Sequence, residues 1–349
     1  MEYNEKKNQL TTLEIERAER LQSEKERYRK IWIQIRRYAP IYVMLIPVAL
    51  FFYLFRYRPI GGILVAFKNY DNFSISINQS DFYGFFSFKY IMFGPQATRF
   101  WRAFRNTFTI SVYGLFFGFP VPIILALFFS EIKNEKYRSL TQIISYLPKF
   151  ISTVVITSII AMMLTAKGTT TGSGGILTQW FVRLGVVESG VAMLSEPQYF
   201  RSIYILSDIW AGAGYGSIVY FAAIMAISPT NYEAAKIDGA NKLAQIRYIT
   251  LPGMAPTLTI MLILRVGAAL SVGYEKVLLL TENRGQNVLE TAEVISTYVL
   301  SLGGLMAGSG SGSAINYAAA ADLFNSLIAM FLVLGANFIS RRVSDTSLF

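Results

Sequence analysis

The chain has 349 residues, 53% hydrophobic and only 15% charged, whereas a soluble domain carries about a quarter charged residues, so we predict several membrane spans. It contains no cysteine and no histidine, which excludes thiol nucleophiles, Cys/His zinc sites, haem ligation by either residue and a histidine general base. The formal net charge is +10, but the basic residues flank apolar runs, so we interpret them as orientation signals and predict no nucleic-acid partner.

The first segment, residues 1–39, is charged from Glu2 to Lys30. A secretory signal peptide needs an apolar stretch soon after its basic start, and none precedes Pro40. Apolar residues at helical spacing from Leu10 to Tyr38 predict a helix. We therefore expect a cytoplasmic, charged, helical tail that leads into one membrane domain, residues 40–349.

Six apolar stretches follow, each near or above the roughly 20 residues that cross a bilayer as a helix. A helix pairs its backbone groups within its own segment, as the hydrocarbon layer requires. The fold class that we predict is an all-α polytopic membrane protein with six transmembrane helices. The expected spans cover residues 39–57, 107–129, 140–164, 203–227, 254–280 and 317–340.

The lysines and arginines indicate the orientation. They are concentrated in the tail, in the links at 131–139 and 228–253, and at Arg341 and Arg342. The positive-inside rule therefore predicts that both termini are cytoplasmic. Opposite them we expect a long outer segment at 58–101 and a flexible Gly/Ser linker at 307–313.

No catalytic motif is present. The glycine-rich stretch at 168–175 lacks the Gly-Lys-Ser/Thr ending of a phosphate-binding loop, so we expect a flexible outer loop there. We predict no catalytic residue, no metal site and no cofactor in this chain.

We call the link between the fourth and fifth spans, residues 229–252, the coupling segment. Ser228 or Thr230 suits a helix cap, and Pro229 suits a first helical turn. Gly239 is expected to break the helix, because glycine turns sharply without strain. A second short helix is expected to end at Leu251–Pro252. Two short helices with one apolar face are typical of a projection that fits a groove in another protein.

The coupling segment resembles the EAA signature of permease subunits in binding-protein-dependent ABC importers. The matching residues are Glu233, Ala234, Ala235, Asp238, Gly239, Ala240, Ile249, Leu251 and Pro252. The Asp-Gly-Ala form and further matches at 61–70, 100–111, 208–210, 274–275 and 337–342 are similar to the oligosaccharide and polysaccharide branch of the type I importers.

The resemblance implies the type I importer permease fold in a multi-pass protein of the bacterial cytoplasmic membrane. It implies that this segment docks into a cleft of an ATPase subunit, where Glu233 pairs with a basic residue. It also implies partners: a second permease of different sequence, two ATPase subunits that carry ATP and Mg, and an extracytoplasmic solute-binding protein.

Polar residues inside the spans are candidates for a saccharide path, because aromatic faces stack on sugars while carboxylates and amides accept hydroxyl protons. The candidates are Tyr204, Asp208, Trp210, Tyr215, Tyr274, Glu275, Asp322 and Asn325. We expect the glycines at 212, 214 and 216 to permit close packing or a kink. The outer basic residues Arg58, Lys68, Lys89, Arg99, Arg102 and Arg105 suit either an acidic saccharide or phospholipid headgroups.

The predicted function is import of oligosaccharides or polysaccharide fragments by alternating access, driven by partner ATPases. One alternative is the same class of permease with a non-sugar solute, such as an amino acid, a peptide or an ion. A second is an ion-coupled carrier acting alone, although no internal repeat supports it. A third is a membrane sensor that regulates an ATPase.

Overall fold

The computed structural model describes residues 29–70, 76–166, 174–282, 284–304 and 314–343. Within these ranges the chain is helical without any strand, and Lys68 and Phe82 form an isolated antiparallel bridge. Residues 29–37 are helical, and residues 1–28 of the predicted tail lie outside the described residues. The same holds for the Gly/Ser linker at 307–313 and for most of the glycine-rich stretch.

The first half of the fold includes a bend inside the predicted third span, between α5 and α6. Its α-helices are α1 (Ala39–Phe52), α2 (Phe86–Phe93), α3 (Ala97–Gly118), α4 (Pro120–Glu131), α5 (Glu135–Tyr146) and α6 (Thr153–Met163). A π-turn at Tyr53–Tyr57 and a 3-10 helix at Arg58–Phe67 extend α1, and a 3-10 turn at Leu147–Phe150 extends α5.

The second half contains the longest helices and the coupling segment. Its helices are α7 (Ile176–Arg183), α8 (Pro197–Met225), α9 (Pro229–Ile237), α10 (Lys242–Gln245), α11 (Leu251–Gly253), α12 (Ala255–Gly267), α13 (Tyr274–Thr281), α14 (Leu289–Ala292), α15 (Ile295–Leu302) and α16 (Ile315–Val343). A π-turn at Ile246–Thr250 joins α10 to α11.

Three helical stretches are by themselves long and apolar enough to cross a membrane: Ala39–Phe67, Ala97–Glu131 and Ile315–Arg342. They contain the predicted first, second and sixth spans. Three further pairs of helices pass the same test only as bent pairs, so the described residues contain up to six spans.

The predicted third and fifth spans are not continuous helices, which corrects the expectation for both. In the third, α5 with its 3-10 turn meets α6 at 97°. Pro148 lies in that turn, and the Ser152 hydroxyl caps the new helix by accepting from Val155 N at 3.4 Å. In the fifth, α12 has 13 residues, about 20 Å at 1.5 Å per residue, and α13 begins only after a break. A hydrophobic run therefore overstates the length of both helices.

The chain divides into two compact units, residues 1–63 and 64–349. In the second unit, α8 lies at the centre and packs against α3, α4 and α5. The apolar core forms three clusters. One surrounds Phe200 and Leu280, one joins Phe100 to Tyr298, and one joins Ala126 of α4 to Tyr220 of α8.

A buried polar clamp holds residues 290–301 against α3. Glu293, whose side chain is 4% exposed, pairs with Arg99 at 2.6 Å and with Arg102 at 2.7 Å. The Asn106 amide donates to the Glu290 and Glu293 carbonyl oxygens at 2.9 and 3.0 Å. A buried carboxylate is stable only when it is paired, so this clamp fixes the segment after α13 in one position.

Tyr298 completes the clamp. Its ring lies under the Arg99 guanidinium, 5.4 Å from ring centroid to guanidinium carbon, and burial raises the pKa of Tyr298 to about 12. The phenol therefore stays neutral at physiological pH and adds no charge beside Glu293.

Candidate functional site

The coupling segment leaves the end of α8 at an angle of 68° and begins with α9. Pro229 is its first residue, as predicted. Proline suits this position because a backbone N–H in the first turn has no hydrogen-bond partner within the helix. Ser228 precedes it but forms no capping bond to the backbone; its hydroxyl lies 3.2 Å from that of Thr230.

Gly239 ends α9 with a positive φ of +78°. Gly239 N donates to Lys236 O at 3.1 Å and Ala240 N donates to Ala235 O at 2.8 Å. These two bonds form a Schellman motif, which requires a left-handed residue at this position. The predicted glycine break is therefore confirmed.

The second arm of the coupling segment runs from Lys242 to Gly253, slightly past its predicted end at Leu251–Pro252. Asn241, which the sequence reasoning missed, caps it by accepting from Ala244 N at 2.9 Å. Asn is among the preferred residues at this position, so a search for caps after Gly239 would have found it.

Two contacts hold the arms in place. The Tyr232 and Thr250 hydroxyls lie 3.1 Å apart and join α9 to the π-turn. Lys242 Nζ donates to Glu131 Oε2 at 2.5 Å and so joins the second arm to the end of α4. Through this exposed ion pair the coupling segment contacts α4 as well as α8.

The coupling segment presents its signature residues outward. Glu233, Ala234, Asp238 and Gly239 are exposed, as are Leu251 and Pro252, while Ala235 and Ala240 are half-buried. Apolar side chains surround them, with Ile237 87% and Leu243 74% exposed. The apolar face expected for the two short helices is only partly exposed, because Ile246 and Ile249 are half-buried. The free surface thus combines a carboxylate with bare apolar side chains.

The candidate substrate path follows one face of α8. Tyr204, Asp208 and Tyr215 recur near the helical repeat, and Asp208 stands at the centre. Its carboxylate lies 3.5 Å from Lys276 Nζ and 3.9 Å from Arg265 Nη2, and its side chain is 52% exposed. Both distances exceed a direct N–H···O bond, so the carboxylate keeps free acceptor positions.

Two cavities meet at Asp208 and Arg265. One, of about 390 Å³, also contains Tyr204, Glu275 and Lys276 in its wall. The other, of about 540 Å³, extends past Tyr215 and Tyr220 to Lys149. Together they form a route along α8 whose walls combine these charged groups with aromatic and aliphatic side chains.

Four predicted path residues lie elsewhere. Trp210 faces a separate, mostly apolar cavity with Leu206 and Phe181. Tyr274 is 51% exposed and Asp322 is exposed, and neither side chain lines the two cavities at Asp208. Asn325 uses its amide to donate to Leu270 O at 3.2 Å.

Lys276 is the path residue that the sequence reasoning missed. It donates to Tyr204 O at 3.0 Å and lies 4.4 Å from the centroid of the Tyr204 ring. Its neighbours in sequence, Tyr274 and Glu275, are predicted path residues, and the break before α13 places Lys276 beside Glu275 in the wall of the first cavity. Lys149, which is not among the predicted path residues, also lies in the wall of the second cavity.

The glycines of α8 differ from one another. A Cβ at Gly214 would overlap with the Ser145 carbonyl oxygen of α5, so this glycine permits the predicted close packing. A Cβ at Gly216 would touch Pro122 at 3.4 Å, and a Cβ at Gly212 would have no atom within 4 Å.

Across the described ranges, no group of three or more Asp and Glu side chains is arranged to hold a metal ion. Of the outer basic residues, Arg99 and Arg102 belong to the buried clamp, and Lys68 donates to Ile77 O at 2.7 Å.

Comparisons with known proteins agree with this arrangement. Residues 118–345 match the family described as "Binding-protein-dependent transport system inner membrane component". Protein LplB of Bacillus subtilis (strain 168) is 33% identical over 309 residues, 88% of this chain and 91% of that protein. The polygalacturonan/rhamnogalacturonan transport system permease protein YteP of the same strain is 32% identical over 325 residues, 93% of this chain and 95% of that protein.

A solved structure is similar over the same extent. A chain of the bacterial alginate ABC transporter, crystallised in complex with an alginate pentasaccharide-bound periplasmic protein, superposes with a TM-score of 0.77. It is 38% identical, and the match covers 91% of this chain and 99% of that one.

Proposed function

This chain belongs to the binding-protein-dependent transport system inner membrane components, and we propose that it is the permease subunit of an importer of oligosaccharides or polysaccharide fragments. Family and fold make it a multi-pass membrane protein with the ABC permease fold, a translocation subunit rather than an enzyme. Relatives named for polygalacturonan, rhamnogalacturonan and alginate transport support a saccharide as the cargo. The alternative of a non-sugar solute has no such support.

The exposed coupling segment is the observation that carries the proposal. Glu233 stands on a helix whose end is fixed by a Schellman motif, beside exposed Ile237 and Leu243. An uncovered carboxylate among bare apolar side chains suits a cleft that supplies one cation and an apolar wall. We infer that two ATPase subunits, which bind ATP and Mg, dock here and at the same segment of a second permease of different sequence.

Alternating access then follows from the way the coupling segment is anchored. An ATPase that closes on ATP displaces the segment, and the anchors to α8 and to Glu131 pass that displacement to the helices around the path. The cavities at Asp208 open alternately to the cytoplasm and to the outer side, where a solute-binding protein delivers the saccharide. In this scheme both termini are cytoplasmic and the membrane is the bacterial cytoplasmic membrane.

The path has groups for a sugar. Tyr204, Tyr215 and Tyr220 offer ring faces or hydroxyls, while Asp208 and Glu275 accept hydroxyl protons. Cations at Arg265, Lys276 and Lys149 exceed these carboxylates in number and suit uronate groups such as those of the relatives' substrates.

The test is ATP hydrolysis by the purified, reconstituted complex with its solute-binding protein, across neutral and acidic oligosaccharides. We expect one class to stimulate hydrolysis and Glu233→Lys to abolish the stimulation, because the new ammonium meets the cation of the cleft. Glu135→Lys, which reverses an exposed charge outside the coupling segment, should retain it. Normal stimulation in assembled Glu233→Lys complexes would show that the docking assignment is wrong.

A further inference from the structure

A groove at the end of α3 opposite the coupling segment is outside both the path and the coupling surface. It has a volume of about 590 Å³, within the usual range of small-ligand sites. Its walls are Thr98, Trp101, Arg102 and Arg105 on α3, and Gln286, Asn287 and Glu290 from the segment that leads into the clamp. We call these seven residues the distal groove.

The distal groove has a fixed floor. The Trp101 indole N–H donates to Met92 O at 3.0 Å, and its ring packs edge-on against Phe104 and Phe324. The ring is nevertheless 41% exposed. An immobilised, partly bare indole is a flat apolar surface of the kind on which the C–H face of a pyranose stacks.

The opposite wall is equally fixed, because it leads directly into the clamp. Asn106 holds the Glu290 carbonyl oxygen, and Arg102 pairs with Glu293 while its Nε is buried without a hydrogen-bond partner among the described residues. Gln286 and Asn287 are exposed and carry both donors and acceptors for hydroxyl groups.

The charges favour an anion. The groove wall carries Arg102, Arg105 and Glu290, and the adjoining clamp adds Arg99 and Glu293, so three cations accompany two carboxylates. Arg105 is exposed and has no carboxylate within ion-pair distance in the described part of the chain. A guanidinium with free N–H groups binds a carboxylate in bidentate fashion.

We propose that the distal groove binds a uronate unit of an acidic saccharide before it enters the path, with the sugar ring on Trp101 and its carboxylate on Arg105. The proposal rests on saccharide import as the proposed function, and it adds an entry site on the side from which the substrate comes. About 26 helical residues separate Arg105 from Glu131 at the coupling end, roughly 39 Å at 1.5 Å per residue. The groove thus lies across the bilayer from the coupling segment.

The experiment measures binding of fluorescent oligogalacturonate and oligomannuronate tetramers, with a neutral maltotetraose control, to the reconstituted full complex without solute-binding protein. Wild type should bind at least one acidic tetramer more tightly than the neutral one. Arg105→Gln should raise that Kd about tenfold, the loss of a charge-assisted hydrogen bond of about 1.4 kcal/mol. Glu290→Gln should lower it, because the competing carboxylate is gone. Lys89→Gln, an exposed cation on neighbouring α2, should change nothing.

Three results would overturn the proposal. They are no preference of the wild type for either acidic tetramer, equal effects of Arg105→Gln and Lys89→Gln, and an Arg105→Gln defect seen only when the affinity of the complex for the solute-binding protein is measured in parallel. The last result would assign the groove to protein docking. Saccharide-stimulated ATP hydrolysis is recorded for every variant. If the proposed function is wrong, Glu233→Lys retains the stimulation; if only the saccharide site in the distal groove is wrong, Glu233→Lys still abolishes it.

Discussion

Gly239 is the residue on which the direction of the coupling segment depends. Its φ of +78° lies where a side chain strains the backbone by about 1–2 kcal/mol, although a Cβ there would meet no atom within 4 Å. We therefore expect Gly239→Ala to loosen the bend without a clash, and to reduce saccharide-stimulated ATP hydrolysis several-fold while the chain remains in the membrane.

Gly185→Ala is the matched control for this prediction. Gly185 has a φ of +69° and equally open surroundings, but it lies outside the coupling segment. It should carry the same local strain and retain full stimulation. Equal losses in the two variants would mean that strain alone, and not the coupling bend, reduces activity.

At the residue scale, the sequence predicts a role where only one residue type fits. Gly239 is such a position, since few other residues turn left-handed there. Lys276 is the opposite case, because its place in the path depends on the break before α13 and on the position of Asp208 on another helix. Arg99 and Arg102 were predicted to be outer cations, and their pairing with the buried Glu293 depends on a carboxylate about 190 residues away.

At the element scale, α5 and α8 approach so closely that one glycine decides their packing. A side chain at Gly214 would overlap with the Ser145 carbonyl oxygen, a backbone atom that cannot rotate away. We expect Gly214→Val to separate the helices, to lower the free energy of unfolding by about 1–3 kcal/mol and to lower the thermal midpoint in detergent.

Gly212→Val is the control for that measurement. It adds the same side chain one half-turn away, where a Cβ has no atom within 4 Å. Its thermal midpoint should remain at or above that of the wild type, because valine replaces a poor helix former. A midpoint in Gly214→Val as high as in Gly212→Val would show that the two helices do not pack as described.

The spans show what a hydropathy pattern cannot predict about an element. It detects how many apolar residues follow one another, but not whether they share an axis. Pro148 and Ser152 mark the 97° bend in the third span, and Gly267 and Gly273 flank the break in the fifth. These residues are present in the sequence, but whether a proline or glycine bends its helix or only allows close helix packing depends on helices elsewhere in the chain.

At the scale of the whole molecule, composition predicted the class and the basic residues predicted the orientation. The helical fold and family are confirmed, and the orientation remains a prediction. Since the chain contains no cysteine, single cysteines report on one position each. Ile237→Cys, 87% exposed in wild type, should react with an impermeant maleimide only in inside-out vesicles.

Phe93→Cys is the partner of that prediction. Phe93 is 80% exposed at the end of α2, next to the distal groove. It should react only in right-side-out vesicles, because α3 and α4 carry the chain across the bilayer between it and the coupling segment. Labelling of both positions from one side would contradict the predicted topology.

The helical stretch Ala97–Glu131 has 35 residues, about 52 Å at 1.5 Å per residue. Arg105 lies near its first turns, and Glu131, which holds Lys242, is its last residue. The proposed saccharide contact and the residue that joins the proposed ATPase-docking segment therefore lie near opposite ends of one helical stretch. If docked ATPases change the affinity of the groove for the saccharide by some factor, thermodynamic reciprocity fixes the reverse effect. A saccharide in the groove then changes the affinity of the coupling segment for the ATPases by the same factor. Binding of the saccharide on the outer side would then influence the ATPase interaction before the saccharide enters the path.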